Sequence, residues 1–439
     1  MKRPLIATAG IASLAILISC GKEPTAPITP PVTVPPQDQM PITGTLVPGM
    51  TSYDETISAL MKKWKVPGGA VAVLYNGRLV YARGFGYSDV ENKTPVQPDA
   101  LFRIASVSKT FTSAAIMTLV GEGKLSFDDP VAPFVDYLAP AAGATVDPRW
   151  EQITIRNLLN HTGGWDRGKP NGGFDPIDRT LEAAAEMGAP SPASPETLIR
   201  WMKGKPLDFN PGEKFAYSNF GYIILGRVIE RLTGMPYKDY VRTRVLEPAG
   251  AKRTQQGKSR MSDALPGEVK YYWPGSATVN FPMVPSVFPG EGLVPINYGG
   301  YYFEVGDASG AWVSSTVDLL RFLSAIDGRP TRPDILSGQL IAQMTGSGAP
   351  LCPNNACYYA AGWMVGPVQG DANWWHGGDL PSTVSFLLRS YNNYSWAAVF
   401  NTNPTLATGA FDNELDVALW DALKKITELP AHDLFSSFQ

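Results

Sequence analysis

Apolar and polar positions first fall into a regular period over residues 52–65, where Tyr53, Ile57, Leu60, Met61 and Trp64 recur at three- and four-residue spacings and predict an amphipathic helix. The pattern then changes. Residues 68–75 and 78–84 are β-rich runs joined by Asn76-Gly77, a dipeptide that accepts the positive φ angles of a tight turn, so together they predict a hairpin that starts a sheet. Beyond it the helical period returns over 106–121, 154–160, 195–203, 221–233 and 237–246. A Pro-, Gly- and Tyr-rich section, 265–309, and a helix over 316–326 follow. Short strand patterns resume at 359–365, 373–376, 384–389 and 396–401, with Asn392-Asn393 as a turn, and a last helix covers 411–428.

Strands at both ends with helices between them predict an α+β protein in which the N- and C-terminal parts share one antiparallel sheet. On this reading residues 51–105 and 310–439 form the sheet domain, and residues 106–309 form a mainly helical domain with loops. At 439 residues with 44% hydrophobic content the chain can bury a large core. A net charge of −3, with no basic block past the first residues, leaves nothing to neutralise a phosphate backbone, which excludes nucleic acid as an expected partner.

The first twenty residues predict an export signal: Met1-Lys2-Arg3, an apolar stretch to Ile18, then Ser19-Cys20-Gly21. Leu17-Ile18-Ser19-Cys20 resembles the bacterial lipobox, in which the Cys, here Cys20, is lipidated and becomes the first mature residue. A plain secretory signal cleaved nearby is the alternative. The resemblance implies an exported lipoprotein anchored at a membrane face or cell surface, and Gly21 after the Cys implies the outer membrane if the cell is Gram-negative. Residues 21–50 are rich in Pro, Thr and Val and predict a semi-rigid tether. Cys352 and Cys357, five residues apart in an exported chain, are expected to form a local disulfide, with two free thiols as the alternative.

Candidate chemistry begins at Ser106-Val107-Ser108-Lys109, at the start of a predicted helix. Residues three apart share a helix face, so the Ser106 hydroxyl and the Lys109 amine can meet, and a desolvated amine can help remove the serine proton. The same spacing occurs at Ser19/Lys22, and a serine at a helix start also serves as a plain cap. A second stretch, Ala216-Tyr217-Ser218-Asn219, places a phenol and an amide two apart on an extended loop, where both point the same way. Tyr391/Asn393 repeats that spacing inside a hairpin turn. A third, Trp374-Trp375-His376-Gly377-Gly378-Asp379, reads as an edge-like strand whose glycines let a ligand approach the backbone, with His376 free to donate or relay a proton. His161, in Asn160-His161-Thr162-Gly163, is expected to hold structure.

In this order the three stretches resemble the serine β-lactamase and penicillin-binding protein family, in the branch of class C β-lactamases, D-Ala-D-Ala carboxypeptidases, D-aminopeptidases and β-lactamase-like esterases. The resemblance spans roughly residues 53–423. It implies a β-lactamase-like fold with the catalytic cleft between the sheet and the helices. It also implies roles: Ser106 as the acylated nucleophile, Lys109 as its proton partner, Tyr217 as general acid/base and His376 on the strand motif. Asn219, Gly377 and Gly378 would bind substrate, and the backbone N–H groups of Ser106 and Asp379 would form the oxyanion hole. Whether Lys109 or Tyr217 is the base stays open. No cofactor is implied, and His161, His376 and His432 show no metal-ligand spacing.

The family's efficient β-lactamases carry Lys-Thr-Gly where this chain has His376-Gly377-Gly378. The Thr hydroxyl and a permanent cation are both missing. The expected substrate is therefore a small ester or peptide without a demanding carboxylate contact. D-Ala-D-Ala carboxypeptidase or β-lactamase activity is the alternative, and a tethered protein that binds penicillin or cell-wall peptide without turnover is the other. The aromatics Tyr298, Tyr301, Tyr302 and Phe303 in the loop 291–310 are expected to wall an acyl pocket, or else to pack as part of a surface loop.

Overall fold

The computed structural model describes residues 40–438 apart from 275–280, 353–355, 369 and 406–409. The export signal, Cys20 and most of the tether lie outside the described residues. The first helix, α1, is Thr51–Trp64, and the hairpin strands are β1, Gly68–Tyr75, and β2, Arg78–Asp89. The helix after the Ser106 turn is α2, Ser108–Gly121; α3 is Asn219–Thr233 and α4 is Thr316–Ser324. The C-terminal strands are β3, Trp363–Val368; β4, Asp371–Leu380; β5, Thr383–Arg389; and β6, Tyr394–Phe400, followed by helix α5, Phe411–Lys424.

β1 and β6 pair antiparallel along their lengths, with Ala72 opposite Ala397, so the two ends of the chain do share one sheet. Its order is Ile42–Thr43, β2, β1, β6, β5, β4, β3, Tyr358–Ala360 and Ala349–Pro350. Both faces are covered, which is why β1 reads as a continuous apolar run. Ala70, Ala72 and Leu74 face the main core with α2, α3 and α4, while Val71 and Val73 face a second core closed by α1 and α5.

Three expectations about elements need correction. The run 359–365 is two strands, because Ala361 and Gly362 both take positive φ and turn the chain back so that Tyr358–Ala360 pairs with β3. The strand of His376 does not end at the glycines but continues to Leu380. β4 is flanked on both sides only at Trp374 and Trp375; from His376 to Leu380 it pairs with β5 alone, so the edge character belongs to that half. The helix 237–246 is Tyr237–Val241 followed by a π-helical turn, Arg242–Leu246.

Helices at Thr180–Met187 and Gly338–Thr345 are additional to those expected from the sequence. A small sheet of Phe102–Arg103, Trp312–Ser314 and Gln255–Gln256 is also new, and it braces the chain just before Ser106.

Candidate active site

The turn that presents Ser106 is built by three neighbours. Arg103 pairs with Val313, and the Ile104 N–H donates to the Trp312 carbonyl at 3.0 Å. Thr383 and Ser385, alternate residues on one face of β5, donate their hydroxyls to the Arg103 and Ile104 carbonyls at 3.0 and 2.6 Å. Ala105 then adopts φ +46°, a left-handed conformation that costs a non-glycine residue energy and lifts Ser106 out of the line of the strand. Gly378 makes this possible. A Cβ there would lie 2.3 Å from both the Ile104 carbonyl oxygen and Ser385 Oγ, so β4 and the Ser106 turn can touch only with glycine at 378.

Lys109, fully buried on the first turn of α2, places Nζ 3.1 Å from Ser106 Oγ. The same nitrogen donates to Asn219 Oδ1 at 2.7 Å and to the Ser309 carbonyl at 2.6 Å. Burial drives its pKa well below the ordinary lysine value; the nearby Asp175 carboxylate opposes that shift and the Arg167 guanidinium adds to it.

Tyr217 lies over Lys109, with Nζ 4.8 Å from the ring centroid. Its hydroxyl meets Ser106; burial raises its pKa, and the hydrogen bond to Ser106 draws it partly back. His161 brackets this tyrosine. Its carbonyl accepts from the Ala216 N–H at 2.8 Å, its Nδ1 accepts from the Ser218 N–H at 3.2 Å, and its ring lies 4.1 Å from the Tyr217 ring. Because Nδ1 accepts, Nε2 carries the ring proton, and it has no hydrogen-bond partner among the described residues.

His376 is engaged on both ring nitrogens. Nδ1 lies 2.5 Å from the Gly377 carbonyl, which can only accept, so Nδ1 carries the proton and Nε2 accepts from the Tyr359 hydroxyl at 2.9 Å. Burial and the Lys109 charge push its pKa down to about 3, so the ring is neutral at pH 7. A free proton relay, as the sequence led us to expect, is not what this geometry offers. Gly377 borders open space, its nearest would-be Cβ neighbour being the Ser385 carbonyl at 4.0 Å. The Asp379 side chain takes a hydrogen bond from Asn403 Nδ2 at 3.2 Å, and burial together with Asp412 raises its pKa.

Asn219 opens α3 and is spanned by two partners: its carbonyl oxygen faces Lys109, and its Nδ2 donates to Asp175 at 2.7 Å. The amide thus grips Lys109 itself, a role the sequence did not show. Asp175, Arg167, Tyr359 and the Ser309 carbonyl were also missed, because each comes from a loop or strand remote in sequence and carries no local motif.

The aromatic loop does not wall the site through the side chains expected. Tyr298 and Phe303, with Tyr271, surround the buried Arg103 guanidinium at 5.6, 4.6 and 4.7 Å, and Tyr301 Oη lies 3.3 Å from Arg103 Nη1. A buried guanidinium needs that cage and its carbonyl partners more than a cleft needs the rings. Tyr302 packs edge-on to Phe288. The loop's contribution to the site is the Ser309 carbonyl. Cys352 and Cys357 are bonded, with Cα atoms 5.0 Å apart.

The Beta-lactamase family model matches residues 53–419, and the chain belongs to this family. Protein flp of Staphylococcus aureus (strain MW2) is 29% identical over 356 residues, which cover 80% of this chain and 62% of flp, so the match spans under two thirds of that relative. Among solved structures, the octameric penicillin-binding protein homologue from Pyrococcus abyssi aligns with a TM-score of 0.62 at 27% identity, covering 86% of this chain and 78% of the other. The D-amino acid amidase from Ochrobactrum anthropi SV3, complexed with L-phenylalanine amide, aligns with a TM-score of 0.61 at 23% identity, covering 86% of this chain and 97% of the amidase, and shares the fold.

Proposed function

We propose that the protein hydrolyses a small carboxylic ester or amide, in the manner of an esterase or D-amino-acid peptidase, through an acyl-enzyme on Ser106. The observation that carries this reading is the environment of Lys109 Nζ. Two of its three neighbours, Asn219 Oδ1 and the Ser309 carbonyl, can only accept hydrogen bonds. A neutral amine has two N–H bonds and one lone pair. With both N–H bonds donated to those oxygens, the lone pair is left for the Ser106 hydroxyl at 3.1 Å.

Ser106 Oγ bonds to the substrate carbonyl carbon as its proton passes to Lys109. The backbone N–H groups of Ser106 and Asp379 receive the oxyanion, donors that are each typically worth ~3 kcal/mol. Tyr217, protonated at neutral pH, gives its proton to the departing alcohol or amine as the C–O or C–N bond breaks, and the proton on Lys109 restores it. Water then attacks the acyl carbon and Ser106 leaves with a proton.

Substrate preference rests on what surrounds the free half of β4. His376 is neutral, residue 377 has no side chain, and the Asp379 carboxyl is turned to Asn403. Among the described residues, no side chain of this half-strand offers the cation and hydroxyl that a substrate carboxylate would use, which favours esters and amides lacking one. We also propose, on the pattern of residues 1–50 alone, that the chain is exported and lipidated at Cys20, with the hydrolase tethered at a membrane face.

The test compares full-length wild type with Ser106→Ala on a short p-nitrophenyl ester, a D-amino-acid amide, a D-Ala-D-Ala peptide and a chromogenic cephalosporin. The reading expects serine-dependent turnover, fastest on the ester or amide. Faster turnover of the cephalosporin or the D-Ala-D-Ala peptide would overturn the substrate preference. Stable acylation without turnover on all four would make it a binding protein instead.

A further inference from the structure

We infer that Asp175 is the positioning residue that decides which end of the Asn219 amide faces Lys109, and so aims the Lys109 lone pair at Ser106. The inference rests on the roles given above to Ser106 and Lys109 and extends them to a residue outside all three motifs.

The two ends of an asparagine amide are nearly the same shape, and hydrogen bonding alone tells them apart. A carboxylate can only accept. Asp175 Oδ2, 2.7 Å from Asn219 Nδ2, therefore fixes the NH2 end toward itself and leaves the carbonyl end for Lys109 at 2.7 Å. Were the amide reversed, its NH2 group would confront the lysine nitrogen, and Lys109 would lose one of the two acceptors that direct its lone pair. Asp175 is itself held in place. It is 6% exposed, its Oδ1 lies 3.5 Å from the Ile177 N–H at the start of a 3-10 turn, Pro176–Arg179, and its Oδ2 pairs with Arg167 Nη1 at 3.3 Å. That guanidinium lies 4.8 Å from the Tyr217 ring centroid, so the pair spans both proton-transfer groups.

The charge adds a second, separable effect. The ionisable groups around Lys109 are Asp175, Arg167, Tyr217, Tyr222, His161 and His376, and those around Asp175 include Arg167 and Asp178, whose own pKa is raised to about 7 by burial and by Asp175. Among these Asp175 favours the protonated lysine. Removing its charge lowers the Lys109 pKa further, and moving that charge closer raises it.

The experiment measures kcat/KM against pH on the best substrate for wild type, Asp175→Asn and the exchanged pair Asp175→Asn with Asn219→Asp. Ser106→Ala and Lys109→Ala are run beside them. Asp175→Asn is expected to lose about tenfold in kcat, in the range that small misplacements of a reacting group produce, and to shift the acid limb to lower pH. The exchanged pair restores an acceptor for Lys109 but puts the negative charge in contact with it, so its acid limb moves the opposite way, to higher pH. An Asp175→Asn enzyme with unchanged kcat and acid limb overturns the inference, and so does a loss of kcat with the limb unmoved, which marks a merely structural role. If Asp175→Asn does not fold, the exchanged pair decides alone: an acid limb at the wild-type pH overturns the inference. Activity surviving in Ser106→Ala or Lys109→Ala would instead show that the reading of the site beneath it is wrong.

Discussion

Lys109 and Ser309, 200 positions apart, meet through a 2.6 Å hydrogen bond from the buried amine to the backbone carbonyl. That bond ties the helix that follows the nucleophile's turn to the loop that precedes Trp312, and it consumes one N–H of the proposed base. The chemistry assigned to Lys109 needs a nitrogen that can lose its proton inside this cage.

Lys109→Arg is therefore expected to be as inactive as Lys109→Ala. A guanidinium keeps the charge and can donate to the same oxygens, but it does not deprotonate in a protein. A loss of roughly 10²–10⁴ in kcat is expected of each, the usual weight of a general base. Near-normal turnover by Lys109→Arg would mean that the residue serves only as a cation.

The two glycines of β4 should separate cleanly. A Cβ at Gly378 meets Ile104 and Ser385 at 2.3 Å and forces the strand away from the Ser106 turn, whereas one at Gly377 meets nothing closer than 4.0 Å. Gly378→Ala is expected to cost about 100-fold or more in kcat/KM, because a displacement of order 1 Å misplaces the reacting groups. Gly377→Ala should leave the Ser106 turn in place, so any cost of its methyl falls on KM through contact with substrate rather than on kcat. Equal effects in steady-state assays would mean that the contact between strand and turn is not what positions Ser106.

Acid should destabilise the fold through its two buried site histidines. Burial lowers both pKa values, His376 to about 3, while in the unfolded chain each takes a proton near pH ~6.5. Below that pH the unfolded state binds more protons, so this contribution is complete above pH ~6.5 and, for His376, fades toward pH 3 at about 1.4 kcal/mol per pH unit, with His161 acting in the same direction. Urea unfolding at pH 7, 5.5 and 4.5 should show a shallower acid-side loss for His376→Gln than for wild type. Parallel curves would mean that His376 titrates in the folded state as it does unfolded.

Arg103 is a stability residue beside the site. Its guanidinium is buried among Tyr271, Tyr298 and Phe303, donates to the Asn297 and Lys258 carbonyls at 2.8 and 2.6 Å, and lies 3.7 Å from Glu268, which is buried too. Arg103→Met leaves that carboxylate without its cation, at a cost of about 3–5 kcal/mol. Calorimetry should register a Tm lower by about 5 °C, given the entropy of unfolding of a chain this size. An unchanged Tm would show that the cage is not stabilising.

What the sequence disclosed was what short-range patterns carry. Asn76-Gly77 announced the first hairpin, residues 68–75 read as an unbroken apolar run because both faces of β1 are covered, and Ser106 with Lys109 needed only one helical turn to meet. What it hid depends on distance. Nothing near Asp175 shows that it will meet Asn219, and nothing in the aromatic loop shows that its rings enclose Arg103 from the strand before the nucleophile. Ala361-Gly362 lies between strand-forming aromatic flanks that hide it in one run, and the two positive φ angles show the turn there. The neutral state of His376 is likewise a tertiary property, set by burial and by Lys109 against the opposing pull of the Gly377 carbonyl.

The most direct test of the central claim is to quench full-length enzyme during turnover of a slowly hydrolysed ester and map the acyl adduct by peptide mass spectrometry. The account predicts one acyl group, on Ser106, absent from Ser106→Ala and accumulating without release when water attack is slowed. An adduct on any other residue, or turnover that persists in Ser106→Ala, would contradict it.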